Sequence, residues 1–147
     1  MVVTLVGVSM KRLHPNARMP VLSTPGSACY DVFALESTPI PPRTVVKIRT
    51  GWAFEVSNEY FLDVRPRSGL AVKEGITIVN APGTLDSDYR GELLVFLYNR
   101  RSTIFTVGAG DRVAQIRLAP VIRMALVEVS DLSDTERGGN GFGSTGR

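Results

Sequence analysis

The chain has 147 residues, 44% of them hydrophobic, with a formal charge of +3 and a pI of about 9.4. That is the length of one domain, with enough apolar side chain to bury a core. Lysines and arginines are scattered without a run of like charge, and no apolar stretch could span a bilayer. A nucleic-acid partner and a membrane are therefore not expected, and a compact anionic ligand is favoured.

Taken in chain order, short β-type runs recur between turn signals. Residues 2–8, VVTLVGV, predict the first strand. The charges of the leading segment MVVTLVGVSMKR follow its apolar stretch, so no signal peptide is expected. Cys29 is the only cysteine and cannot pair within the chain, a composition that suits a reducing compartment and predicts a cytoplasmic location. In residues 25–34, PGSACYDVFA, Asp31 interrupts an otherwise apolar strand. It is either a half-exposed strand residue or a carboxylate with a task.

Strands follow at residues 44–50 (TVVKIRT) and 59–64 (EYFLDV). In the second, alternation puts Tyr60, Leu62 and Val64 on one face and Phe61 and Asp63 on the other. Residues 68–75, SGLAVKEG, predict one or two helical turns, capped by Ser68 and ended by Gly75. A helix start offers free N–H groups, so Arg67, Ser68 and the backbone there could hold a phosphate. The alternative is that Ser68 is only a cap.

Residues 76–79 (ITIV) and 92–98 (ELLVFLY) read as two strands of a hairpin whose tip is residues 80–91, NAPGTLDSDYRG. This tip carries Asp86, Asp88, Tyr89 and Arg90, more chemistry than a plain turn needs. Alternation along an extended backbone would point Asp86 and Asp88 to opposite faces, so they are not expected to form one acid pair. Each taken alone reads as a turn-capping residue.

Residues 103–107 (TIFTV), 112–118 (RVAQIRL) and 121–129 (VIRMALVEV) predict three more strands. In the run GDRVAQIRL, Gln115 is expected to share a face with Val113 and Arg117; it is a solvent-facing strand residue or a donor to a phosphoryl oxygen. From Asp131 the composition turns polar and glycine-rich, DLSDTERGGNGFGSTGR, too poor in apolar groups to fold by itself. Within it Arg137, Phe142, Ser144 and Thr145 could meet an anion and a base. The expected organisation is one β domain at 1–130 and a flexible arm at 131–147. Many short strands with Gly and Pro between them make the fold class all-β, a sandwich or barrel with one short helix.

Several familiar chemistries lack parts. The run GGNGFG has no strand close before it and no helix after it, so it is not a dinucleotide loop. With one histidine, His14, and one cysteine, neither a His/Cys zinc site nor a Ser-His-Asp triad can be assembled. A metal, if used, should be Mg²⁺ carried by ligand phosphates and water with carboxylates nearby.

In this order the segments PGSACYDVFA, RPRSGLAV, VNAPGTLDSDYRGEL, GDRVAQIRL and RGGNGFGSTG resemble the five motifs of the trimeric, all-β dUTPase family (dUTP diphosphatases), and HPNARMPVLSTPGS resembles the segment before them. The likeness runs from about His14 to Gly146. It implies a distorted jelly-roll-like barrel, a homotrimer with shared sites, and Mg²⁺-dependent hydrolysis of dUTP to dUMP and pyrophosphate. That reaction keeps uracil out of DNA and supplies dUMP for dTMP synthesis. Carried over by position, it makes Asp86 the general base for the attacking water and Asp31 the residue that holds the water shell of Mg²⁺. Arg67, Ser68, Gly69 and Gln115 match phosphate-contacting positions. Asn80, Gly83, Thr84, Leu85 and Tyr89 match the hairpin that reads uracil and packs against deoxyribose. Arg137, Phe142, Gly143, Ser144 and Thr145 match the arm that closes over the substrate. The resemblance implies that the hairpin, the phosphate motifs and the arm of one site come from three chains. Two positions depart from the family pattern: Cys29 and Asn140 stand where glycine is usual, and Asn140 is tolerated because asparagine accepts positive φ.

Two other readings stay open. The related dCTP deaminases place a catalytic glutamate on the strand after the hairpin, at the position of Phe96, which cannot move a proton. A nucleotide-binding regulator without catalysis would have no need of Asp86.

Overall fold

The computed structural model describes residues 5–141. Among them are eleven strands, β1 (Ser9–Arg12), β2 (Val21–Leu22), β3 (Tyr30–Phe33), β4 (Thr38–Ile40), β5 (Val45–Glu55), β6 (Tyr60–Arg65), β7 (Ile76–Ile78), β8 (Gly83–Leu85), β9 (Glu92–Asn99), β10 (Phe105–Val107) and β11 (Arg112–Pro120), with one helical turn, Leu70–Glu74. They form a four-stranded sheet in the order β1-β5-β9-β7, a five-stranded sheet in the order β2-β3-β11-β6-β8, and the pair β10-β4. The all-β class with one short helix is as expected.

One core lies between these sheets. β9 alternates cleanly, with Leu93, Val95, Leu97 and Asn99 buried and Leu94, Phe96 and Tyr98 turned outward. Its inward residues join Ile48, Trp52 and Phe54 of β5, Leu62 and Val64 of β6, Val32 of β3 and Ile116 of β11. β5 and β9 lose register between Arg49 and Ala53. Gly51 sits in that bulge at φ 75°, where a Cβ would meet the Cβ of Ala17 at 2.6 Å, so only glycine fits. Glu92 fills the gap: its Oε1 accepts the Gly51 N–H at 2.8 Å and its Oε2 accepts Arg49 Nε at 3.1 Å.

Four sequence expectations are corrected. Among the described residues the first strand begins at Ser9 and residues 5–8 are in none, because Ser9 pairs with Glu55, where β5 ends and offers no further partner; residues 2–4 of the expected strand lie outside the described residues. Residues 121–129 form no strand: β11 ends with Pro120 opposite Tyr60, the first residue of β6, and beyond Val121 the partner has run out. Ile122, Met124, Leu126 and Val127 are consequently 78–89% exposed. On β11 a register shift between Arg112 and Ala114 breaks the alternation, so Val113 joins the core while Gln115 does not share its face. The helical turn ends as expected at Gly75 in left-handed conformation, but Ser68 already lies in the turn and no side-chain hydrogen bond caps its start.

On the outer face of β6, Asp63 is 4% exposed, held by Arg65 Nε at 2.8 Å and Arg117 Nε at 2.9 Å. Burial alone would raise its carboxyl pKa; hydrogen bonds and charge from both arginines outweigh that and hold it below its ordinary value of 3.8. A carboxyl depressed by folding contributes stability above its unfolded pKa, and the contribution is lost as pH falls through the lower folded value. Asp63→Asn should therefore melt well below wild type at pH 7, and the gap should narrow below about pH 4. Thermal unfolding at both pH values checks this, and a gap that does not change with pH contradicts it.

Candidate active site

The residues 80–91 are more than a hairpin tip. β7 and β9 do pair antiparallel, with Ile78 opposite Leu97. Between them, after a cis Ala81–Pro82 bond, the chain crosses to the other sheet, where β8 pairs with β6 and sets Gly83 opposite Val64 and Leu85 opposite Leu62. Gly83 is buried there, and a Cβ on it would stand 3.3 Å from the Cβ of Val64. Asp86 then leaves the sheet edge, and its carbonyl accepts the Tyr89 N–H at 3.2 Å. The segment from Asp86 to Tyr89 is thus a closed turn, which replaces the extended alternation expected for Asp86 and Asp88.

This crossing builds a cavity of about 240 Å³ lined by Asn80, Gly83, Thr84, Leu85, Asp86, Tyr89 and the wall of β9 that includes Phe96. The volume lies below the roughly 300–1,000 Å³ typical of small-molecule sites, so it suits the base and sugar of a nucleotide with the phosphates outside. Asp86 also lines a second, more open cleft with Thr84, Ser87, Asp88 and Arg123. Asp88 meets only that cleft, so the two carboxylates do have different surroundings.

The anionic pole is assembled around Asp31. β3 places it opposite Gln115 of β11, and it is 2% exposed. Oδ1 accepts Arg67 Nε at 3.1 Å and Gln115 Nε2 at 3.3 Å. Oδ2 accepts Ser23 Oγ at 2.7 Å and pairs with Arg112 Nη1 at 3.3 Å. Burial works to raise the Asp31 pKa, but the hydrogen bonds from Ser23 and Gln115, with the charges of Arg67 and Arg112, bring it below 3.8. Asp31 is therefore an ionised anchor that gathers two guanidinium groups and an amide. Arg67 and Arg112 line a cavity of about 360 Å³ with Leu70, Glu74 and Asp111. Ser68 and Gly69 are exposed at the start of the helical turn, and nothing lies within 4 Å of a Cβ placed on Gly69, so a ligand or another chain has room to approach.

Within one chain the nucleoside-sized cavity and the Arg67–Arg112 cavity share no lining residue. The structure brings together Asn80, Gly83, Thr84, Leu85, Asp86 and Tyr89 in one group, and Asp31, Arg67 and Gln115 in another. In the arm, Arg137 Nε donates to the Asn140 carbonyl at 2.8 Å, so that arginine closes its own turn. The positive φ falls on Gly138 and not on Asn140. Phe142, Gly143, Ser144 and Thr145 lie outside the described residues.

Four contributors escape sequence reasoning. Ser23 and Arg112 complete the shell of Asp31. Glu92 locks the start of β9 to the β5 bulge. Arg90 Nη1 donates to the Ser87 carbonyl at 2.6 Å while its Nη2 meets Glu55 at 3.2 Å, which braces the Asp86 turn from outside. Arg112 stands within the singled-out Gln115 run, but its 89-residue separation from Ser23 leaves no local pattern that would show its role.

As to metal, no group of three His, Cys, Asp or Glu side chains capable of holding an ion occurs among the described residues. Asp31 already accepts three side-chain hydrogen bonds and is ion-paired with Arg112 besides. The donor set therefore fits Mg²⁺ only as an ion carried by phosphates and water, not one caged by the protein.

Comparison with known proteins agrees with this geometry. The dUTPase family model matches residues 15–146. The deoxyuridine 5'-triphosphate nucleotidohydrolase of Nautilia profundicola is 46% identical over 140 residues, covering 95% of this chain and 99% of that protein. Among solved structures, the dUTPase of Staphylococcus bacteriophage 80alpha with dUPNHPP bound superposes with a TM-score of 0.88 at 26% identity, covering 96% of this chain and 99% of that one. A dUTPase from phage phi11 of S. aureus, with a structural Mg(II) ion, superposes at 0.80 with 22% identity, covering 88% of this chain and 100% of that one. With sequence, fold and the clustering of the hairpin residues in agreement over nearly its whole length, the chain belongs to the dUTPase family.

Proposed function

We propose that this chain hydrolyses dUTP to dUMP and pyrophosphate, with the nucleoside cavity of one subunit facing the Asp31–Arg67–Gln115 cluster of a second. One observation carries the reading: the exposed side chain of Asp86 lines a cavity of nucleoside size together with Asn80 and Tyr89. Its carboxylate takes a proton from water; the water oxygen bonds to the α-phosphorus; the bond from that phosphorus to the α,β-bridging oxygen breaks, and pyrophosphate leaves with the electron pair. Arg67, Ser68 and Gln115 donate to phosphoryl oxygens, with Arg67 and Gln115 already oriented by Asp31. Gly69 leaves the backbone there open to the phosphates.

Mg²⁺, bound to the triphosphate with Asp31 nearby through water, supplies neutralisation of phosphate charge. Tyr89 packs against the sugar face that lacks a 2′-hydroxyl, and Asn80 with the backbone of Gly83, Thr84 and Leu85 reads the uracil edge. The arm, residues 131–147, brings Arg137, Phe142, Gly143, Ser144 and Thr145 over the substrate.

A homotrimer is supported by two features: the two half-sites line separate cavities in one chain, and the apolar residues from Ile122 to Leu132 have no partner strand among the described residues. A second copy is the simplest source of that partner. Among the described residues no helix is long and apolar enough to cross a membrane, and a cytoplasmic setting fits the lone thiol. Phe96 in the cavity wall disfavours deamination, since no acid stands at that position.

Incubation with Mg²⁺ and dUTP, dCTP, dTTP or UTP, measuring pyrophosphate and ammonia, tests the reading. Pyrophosphate from dUTP, well above that from the other three, is expected. Ammonia from dCTP would establish a deaminase, and no turnover of any nucleotide would establish a binding protein.

A further inference from the structure

The backbone at Gly91 is not in the left-handed region, so its conformation does not require glycine. The three atoms nearest to a side chain there belong to one residue, Tyr89. A Cβ placed on Gly91 would stand 2.5 Å from Cζ and 3.0 Å from Cε2 of Tyr89, and the nearest atoms it meets all belong to that ring. This differs from Gly51, where both φ and the body of the fold exclude a side chain.

The ring is held in that place at both ends. Tyr89 Oη donates to the Glu92 carbonyl at 3.2 Å, and the Tyr89 N–H donates to the Asp86 carbonyl at 3.2 Å. Glu92 is itself fixed, since its carboxylate is bound to Gly51 and Arg49 in the β5 bulge. The ring therefore spans from the catalytic turn to the locked start of β9, passing through the volume that a side chain at position 91 would occupy.

We propose that Gly91 is a specificity-determining position, whose missing side chain seats the Tyr89 ring at the depth that measures the sugar. The inference rests on the sugar-facing reading of Tyr89 given above and adds the residue that sets where the ring stands. Alanine at 91 drives the ring off the Glu92 carbonyl, and because the exposed Tyr89 side chain lines the nucleoside cavity, a shift of its ring reshapes that cavity. A displaced ring of this size changes discrimination by an amount comparable to one or two methylenes in a pocket, about 10–200-fold. Asp86 is held through β8 and its own carbonyl, so the catalytic carboxylate stays in place.

The test compares kcat and KM for dUTP and UTP in wild type, Gly91→Ala, Tyr89→Ala and the double variant. Gly91→Ala is expected to raise KM for dUTP and to lower the dUTP/UTP ratio of kcat/KM about tenfold, while in the Tyr89→Ala background the same change has no further effect on the ratio. A lowered ratio in Tyr89→Ala with a wild-type ratio in Gly91→Ala overturns this inference alone. An unchanged ratio in Tyr89→Ala overturns it together with the sugar-facing reading. Should Gly91→Ala fail to fold, the double variant decides: folding like Tyr89→Ala supports the ring as the sole obstacle, and failure of the double variant refutes it.

Discussion

Asp86→Asn should lower kcat for dUTP about 10²–10⁴-fold, the usual contribution of a positioned general base, while leaving dUTP affinity close to wild type. The amide has nearly the shape of the carboxylate but cannot accept the proton of the attacking water. Its surroundings predict little structural cost: Asp86 is exposed, and the bond that closes its turn runs from the Tyr89 N–H to the Asp86 carbonyl rather than to the side chain. Single-turnover rates with equilibrium binding of a non-hydrolysable dUTP analogue separate the two quantities. Loss of binding with kcat retained would move Asp86 from base to ligand, and unchanged turnover would remove it from the site.

Mixing two inactive variants should restore activity. Asp86→Asn keeps the phosphate cluster intact, and Arg67→Ala keeps the nucleoside cavity intact, because the two cavities have no residue in common. If each site takes Asp86 from one subunit and Arg67 from another, equal mixing after unfolding and reassembly gives about a quarter of the sites both groups, and about a quarter of wild-type activity returns from two preparations that each have almost none. The arithmetic depends on sites built between chains. If each site were built within one chain, no mixture would contain a complete site, so activity remaining at the sum of the two variants would rule out sharing.

The fold was legible wherever a strand's partner and periodicity lie in its own sequence. β5, β9 and β11 carry β-branched and aromatic residues over eight residues or more, and Gly75 marks the end of the helical turn from composition alone. What escaped was long-range. β8 has three residues, Gly83–Leu85, too few to show a period, and its crossing to β6 depends on a strand about twenty positions earlier. The bulge at Gly51 is visible only once Ala17 and Glu92 have been brought to it. Residues 121–129 show the opposite failure: a valid strand pattern with no partner among the described residues.

The site divides in the same way. Asp31, Arg67, Gln115, Asp86 and Tyr89 were recognisable as an ordered set of segments, because each stands in a short run of unusual composition. The residues that orient them were not. Ser23, Arg112, Arg90 and Glu92 stand in the same singled-out segments, but their roles come from hydrogen bonds that tertiary structure alone creates.

β8 is also an edge strand, joined to the sandwich through β6 on one side only. Short edge elements are the first to open in a folded protein, at a free-energy cost well below that of global unfolding. Such an opening would carry Asp86 away from its cavity while Leu93, Val95 and Ile48 stayed packed. On heating, catalysis would then fade before the core melts, and the braces from Arg90 and Glu92 would set how far apart those two temperatures lie.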